Sequence, residues 1–82
     1  MDNFDVSPKV TKFIDKLGEP DNSRIKKALV KLSKIPPEGD IKSLVGKDGY
    51  RLKVGDYRLL FDKIGDTIIV YDIGRRDKIY KS

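Results

Sequence analysis

An α+β fold, with two N-terminal helices packed on one face of an antiparallel sheet, is what this chain of 82 residues predicts. Three observations carry the prediction. Apolar residues first recur at the i, i+3, i+4, i+7 spacing of a helix with one buried face, and do so twice. After Gly49 they alternate instead with charged residues, the period of a half-buried strand. Finally, two Gly-Asp steps, at Gly55-Asp56 and Gly65-Asp66, cut the alternating half into hairpin-sized pieces.

Taken in order, Phe4-Asp5-Val6 reads as a short first strand. Ser7-Pro8 then supplies an N-cap and a proline at the first helical position, where its missing N–H costs nothing. Val10, Phe13, Ile14 and Leu17 form the apolar stripe of a helix over residues 8–17, ended by Gly18. A second helix starts at Asp21. Ile25, Ala28, Leu29 and Leu32 make its stripe, Lys26, Lys27, Lys31 and Lys34 lie off it, and Pro36-Pro37 with Gly39 stop it. Tyr50, Leu52 and Val54 alternate with Arg51 and Lys53 in the next strand. Gly55-Asp56, with glycine first, suits a type II′ turn. Tyr57 to Asp62 returns, Gly65-Asp66 turns again, and Thr67 to Ile73 is a β-branched strand. The expected order is β-α-α-β-β-β.

Composition narrows the chemistry. One small domain over residues 1–82 is expected, and a chain of this size buries roughly 60% of its unfolded surface. With no cysteine there is no disulfide and no thiolate metal cluster, and with no histidine there is neither a histidine acid–base pair nor a histidine-ligated metal. Catalysis would fall to Lys, Arg, Tyr, Asp or Glu, and no metal or cofactor is expected. Residues 1–17 carry three aspartates and lack the apolar core of a secretory signal. No run approaches the ~20 apolar residues of a membrane span, so a cytoplasmic protein without a membrane partner is expected. The formal charge of +5 is uneven: residues 1–40 hold eight Lys/Arg against seven Asp/Glu, residues 41–82 ten against six. A basic half suits a polyanion or an acidic partner, and equally a solvated surface.

A two-residue turn at Gly55-Asp56 sets Lys53 opposite Arg58, Leu52 opposite Leu59 and Arg51 opposite Leu60. Arg51, Lys53 and Arg58 then share the face turned away from the helices. Like charges directly opposite are unfavourable by a few tenths of a kcal/mol when exposed, so the pairing calls for a reason. One is protection of exposed strands from edge-to-edge association, with Asp62 or Asp72 as ion-pair partners. The other is an anion site. If Gly65-Asp66 is also a two-residue turn, Leu60, Ile69, Tyr71 and Ile73 join this face and leave an apolar strip in need of a cover.

The segments GYRLKVGDYRLLF and IGRRDKIY, preceded by SPKVTKFIDKL, RIKKALVKL and KSLVGKDGYRL, resemble the RelE family of toxins within the RelE/ParE superfamily. The resemblance covers nearly the whole chain. It implies a curled antiparallel sheet with two helices on one side, and a ribosome-dependent endoribonuclease that cleaves mRNA in the A site without metal. It also implies a cognate antitoxin that wraps and silences the toxin. Free of it, a monomer or weak dimer is expected. By position, Arg51, Lys53, Arg58, Arg76 and Tyr80 match the family's basic and aromatic residues. Lys53, Arg58, Arg76 and Tyr80 are the expected catalytic set, and Arg51, Lys53, Arg58 and Arg75 the expected RNA-binding set.

Cleavage by RNA's own 2′-hydroxyl needs that oxygen deprotonated, the phosphorane charge stabilised and the 5′-oxygen protonated. Guanidiniums at Arg58 and Arg76 match phosphate oxygens. Nearby positive charge disfavours a protonated lysine, which makes Lys53, between Arg51 and Arg58, the candidate base. Arg51 is not a practical base and would serve otherwise. For Tyr80, stacking on a base, orienting the nucleophile and exchanging a proton all stay open. ParE-like relatives act on DNA gyrase instead of RNA, and that activity is the alternative, beside a non-catalytic basic nucleic-acid-binding module.

Overall fold

Two helices cover one face of a five-stranded mixed sheet in the computed structural model, which describes residues 4–34, 36–46 and 48–76. In chain order the elements are β1 (Phe4–Val6), α1 (Pro8–Asp15), α2 (Asp21–Leu32), β2 (Asp40–Ser43), β3 (Tyr50–Val54), β4 (Tyr57–Ile64) and β5 (Thr67–Arg75). Across the sheet the order is β1-β5-β4-β3-β2. β2 to β5 form an antiparallel meander, and β1 joins the far edge parallel to β5. No described helix is long and apolar enough to cross a membrane.

The helix boundaries follow local chemistry. Ser7 caps α1 in an extended conformation, its Oγ accepting the Val10 N–H at 3.4 Å, with Pro8 at the first helical position. Val10 and Ile14 are buried from α1, Ile25 and Leu32 from α2. The Asn22 side chain donates to the Ile14 carbonyl at 2.9 Å and so ties the start of α2 to the end of α1. α1 lies against β5 and α2 against β3. Beneath them the inward residues Leu52, Leu59, Phe61, Ile68, Val70 and Ile73 complete one core. Tyr50 stacks on Phe61, with ring centroids 5.5 Å apart.

Both hairpins close as expected. Gly55 (φ 57°) and Gly65 (φ 61°) take positive φ while no other residue type does, as a type II′ turn requires at its first central position. Val54 pairs with Tyr57, Lys53 with Arg58, Leu52 with Leu59 and Arg51 with Leu60.

Besides the parallel pairing of β1, which makes the sheet mixed where an antiparallel one was expected, two features depart from the sequence expectation. β2 is an additional strand: Asp40–Ser43 has a single apolar residue, Ile41, and is held by pairing with β3 at the sheet edge. Ile73 does not lie on the open face. A bulge on β5 shifts the register between Leu60 and Phe61, so Phe61 faces Val70 while Leu60 faces Asp72. Tyr71 is the extra residue, and Ile73 turns into the core with 5% of its surface exposed.

Candidate nucleic-acid interface

The face of the sheet turned away from the helices is organised around the β3–β4 hairpin. Lys53 and Arg58 are cross-strand partners next to the turn. The pair closing the turn is hydrogen-bonded, so this next one is of the non-hydrogen-bonded type, in which side chains approach most closely. Lys53 is exposed, as a cation at an edge of solvent should be.

Arg58 is not. It is the one buried charged residue among the described residues, with 8% of its surface exposed. Its Nη1 donates to the Gly55 carbonyl at 3.1 Å and to the Tyr57 carbonyl at 2.9 Å, so the hairpin's own backbone grips one end of the guanidinium. Its Nε is buried with no hydrogen-bond partner. A buried donor left unsatisfied costs about 1–3 kcal/mol. The arrangement is a desolvated cation that the hairpin backbone holds in one position, the condition under which a guanidinium acts most strongly on an oxyanion brought beside it.

Arg51 is half-buried one row further from the turn, opposite Leu60. Gly74 is the residue of β5 opposite Arg58, so no side chain stands beside Arg58 on the β5 side of that row. The chain then brings Arg76 back to the turn: its backbone N–H donates to the Asp56 carbonyl at 2.9 Å, and its side chain is exposed. The hairpin turn thus holds Arg58 through Gly55 and Arg76 through Asp56. Arg75 goes elsewhere. It pairs with Tyr57, whose ring lies under the helices, and its charge acts on the Tyr57 phenol. Of the predicted residues, Arg51, Lys53 and Arg58 share the open face near the turn, the backbone of Arg76 is tied to that turn, and Arg75 does not join them. Tyr80 lies outside the described residues.

The acidic residues offered as ion-pair partners lie further from the turn than Lys53 and Arg58, although Asp40 of β2 is the other cross-strand neighbour of Lys53. Asp72 accepts from Lys9 at 3.0 Å and from the Ile73 N–H. Asp62 pairs with Ile69, away from the turn. No group of metal-ligating side chains is found among the described residues.

Below the sheet edge, an open groove of about 320 Å³ runs between α2 and β3, lined by Arg24, Lys27, Lys31 and Lys53, with the carboxylates Glu38 and Asp40 between them, over an apolar floor that includes Ala28 and Leu52. Lys53 therefore stands at the junction of the basic sheet face and a cationic stripe on α2. Arg24, Lys27 and Lys31 recur at i, i+3 and i+7, a signal visible in the sequence as charge periodicity on the solvent side of the helix.

Comparison with known proteins adds a lineage to this geometry. The family model described as the ParE toxin of the type II toxin–antitoxin system parDE matches residues 4–80. Among solved structures, the chain resembles the RelB–RelE antitoxin–toxin complex of Methanococcus jannaschii with 26% identity and a TM-score of 0.73, covering 92% of this chain and 93% of the other. The isolated RelE toxin of E. coli matches with 27% identity and a TM-score of 0.70, over 94% of this chain and 88% of the other. The intact E. coli RelBE complex gives 26% identity and a TM-score of 0.67, over 88% and 93%. No curated protein matches.

Proposed function

The chain belongs to the ParE toxin family of type II toxin–antitoxin systems, within the RelE/ParE superfamily, and from that premise we propose that it is a ribosome-dependent endoribonuclease acting on mRNA in the cytoplasm. The observation that carries the reading is the pairing of an exposed lysine, Lys53, with a desolvated arginine, Arg58, that the hairpin backbone holds in place. A surface built only for solubility would leave both cations solvated.

The chemistry is an internal transesterification. The 2′-oxygen attacks the adjacent phosphorus, the bond from phosphorus to the 5′-oxygen breaks, and a 2′,3′-cyclic phosphate and a 5′-hydroxyl result. Lys53 takes the 2′-proton, and the departing 5′-oxygen takes its proton from Tyr80 or from water. Arg58 stabilises the charge that grows on the non-bridging oxygens, and does so without reorganising, because its position is already fixed. Arg76, beside the same turn, adds a second guanidinium. Arg51 binds a flanking phosphate. Tyr80 completes the set as a stacking, orienting or proton-exchanging group. The ribosome supplies the substrate's conformation, which a shallow sheet face does not. The expected partner is an antitoxin segment, acidic and apolar, that covers Arg58 or displaces the chain around Tyr80. The RelE relatives crystallised with RelB support that partner.

One observation favours a second reading. The matching family model is described by its ParE member, and ParE-like toxins inhibit DNA gyrase. The test is addition of the protein to a translation extract with mapping of mRNA 5′ ends, alongside a gyrase supercoiling assay. Cuts inside codons, only on ribosomes, are expected. Intact mRNA with loss of supercoiling overturns the nuclease reading for the gyrase one; neither effect leaves a non-catalytic binding module.

A further inference from the structure

The cation cluster recognises phosphate, and contact with a base falls to aromatic rings such as that proposed for Tyr80. We propose that Tyr71 is a stacking platform for one nucleobase of the single-stranded RNA whose backbone the cluster holds, a subsite that rests on the nucleic-acid reading above.

The bulge is what creates it. Val70 and Ile73 both point into the core, with 0% and 5% of their surface exposed, so the two residues between them, Tyr71 and Asp72, both point outward. A regular strand would turn only one of them out. The ring of Tyr71 is 37% exposed, and half-buried Leu60 and Ile69 lie beside it on the same face. This is a flat apolar floor with one aromatic plane, and base–aromatic stacking accepts any base. Leu60 is also the cross-strand partner of Arg51. Strands lie roughly 4.8 Å apart, so crossing from Arg51 through Leu60 to Tyr71 covers roughly 10 Å, the reach of a nucleotide from its phosphate to the edge of its base.

The neighbouring charges suit a base better than a phosphate at this position. Asp62, on the same face, supplies an acceptor for an exocyclic amine. Asp72 is engaged by Lys9 at 3.0 Å. Partial burial and these two carboxylates hold the Tyr71 phenol above its ordinary range, so at neutral pH the ring carries no charge to repel RNA. An apolar segment of a partner protein is the competing occupant, and it would not need an aromatic plane.

The chain has no tryptophan, so Tyr71→Trp makes a single fluorescent reporter. It is titrated with a 2′-O-methyl hexaribonucleotide, which lacks the attacking hydroxyl, and with inorganic polyphosphate. The hexamer should quench the emission with the midpoint found by anisotropy of a labelled hexamer, while polyphosphate binds without quenching. Tyr71→Ala should weaken hexamer binding by about five- to a hundredfold, and Tyr71→Phe should stay within about twofold. Bound hexamer without quenching, or unchanged affinity in Tyr71→Ala, overturns the platform and leaves the nuclease reading in place. Failure of the wild-type chain to bind the hexamer overturns the platform too, whatever the ribosome assay gives. Quenching without cleavage on ribosomes upholds the platform and removes only the nuclease.

Discussion

Arg58 behaves least like the residue its sequence context suggests. Alternation placed it on the open face opposite Lys53, and it is there, but a charged residue in an exposed-looking pattern gives no sign that its guanidinium will fold back on the turn that precedes it. Only the three-dimensional course of Gly55 and Tyr57 provides the carbonyls. Its replacement separates roles. Arg58→Ala should lower single-turnover cleavage on ribosomes by at least about tenfold, on the order of 1.4 kcal/mol of barrier, and should weaken binding as well. Lys53→Arg keeps the charge and loses the titratable amine, so ribosome binding should stay near wild type while cleavage slows. Full activity in Lys53→Arg would pass the role of base to Tyr80 or to positioning and charge alone.

At the scale of elements, hairpins were legible and edges were not. Gly-Asp steps between alternating runs specify their turn type through glycine's access to positive φ. β2 was invisible because an edge strand with one apolar residue has no periodicity to detect; its formation depends on β3 being there. The bulge was equally hidden, since TIIVYDI alternates well enough to suggest an unbroken register. It is the packing of Val70 and Ile73 together into the core that makes Tyr71 the extra residue. The turns allow a clean comparison. A Cβ added at Gly55 or Gly65 meets nothing within 4 Å, and both have positive φ. Gly55→Ala and Gly65→Ala should therefore each lose about 1 kcal/mol or more of stability through backbone strain alone. Only Gly55→Ala should also reduce cleavage, because the Gly55 carbonyl anchors Arg58. Equal loss of activity in both variants would deny the turn a part in positioning that guanidinium.

The tie between β4 and α2 predicts a pH dependence. The Tyr57 hydroxyl donates to Asp21 Oδ2 at 3.2 Å, and its ring meets Phe13 edge-on at 6.1 Å. Burial, then the Asp21 carboxylate, push the phenol above its ordinary value of 10.0. A group whose pKa is higher folded than unfolded stabilises fully below the unfolded value, about 10, and loses that contribution as pH rises through the folded value. Tyr57→Phe should cost about 1–2 kcal/mol in urea unfolding at pH 7. The gap between wild type and variant should narrow above pH 10. A constant gap through that range would mean that the hydroxyl contributes nothing that ionisation removes.

For the whole molecule, the charge asymmetry suited an anionic partner and a solvated surface alike, and the fold decides where that charge acts. Arg51, Lys53 and Arg58 of the second half share one hairpin, while the α2 stripe meets them only at Lys53, which lines both the open sheet face and the groove. That shared position makes ionic strength a probe of the path taken by bound RNA. Each phosphate neutralised on a single strand contributes about −0.7 to the slope of log K against log salt. If RNA lies on the sheet face, Lys53→Ala should flatten the slope for the 2′-O-methyl hexamer by about 0.7, while Lys31→Ala, on the groove's helix side, leaves it unchanged. If RNA instead follows the groove, both variants flatten it alike. A slope insensitive to Lys53 would mean that its amine is either away from the backbone or uncharged beside it, and single-turnover cleavage by Lys53→Ala separates the two, because only a base beside the phosphate under attack is missed in the rate.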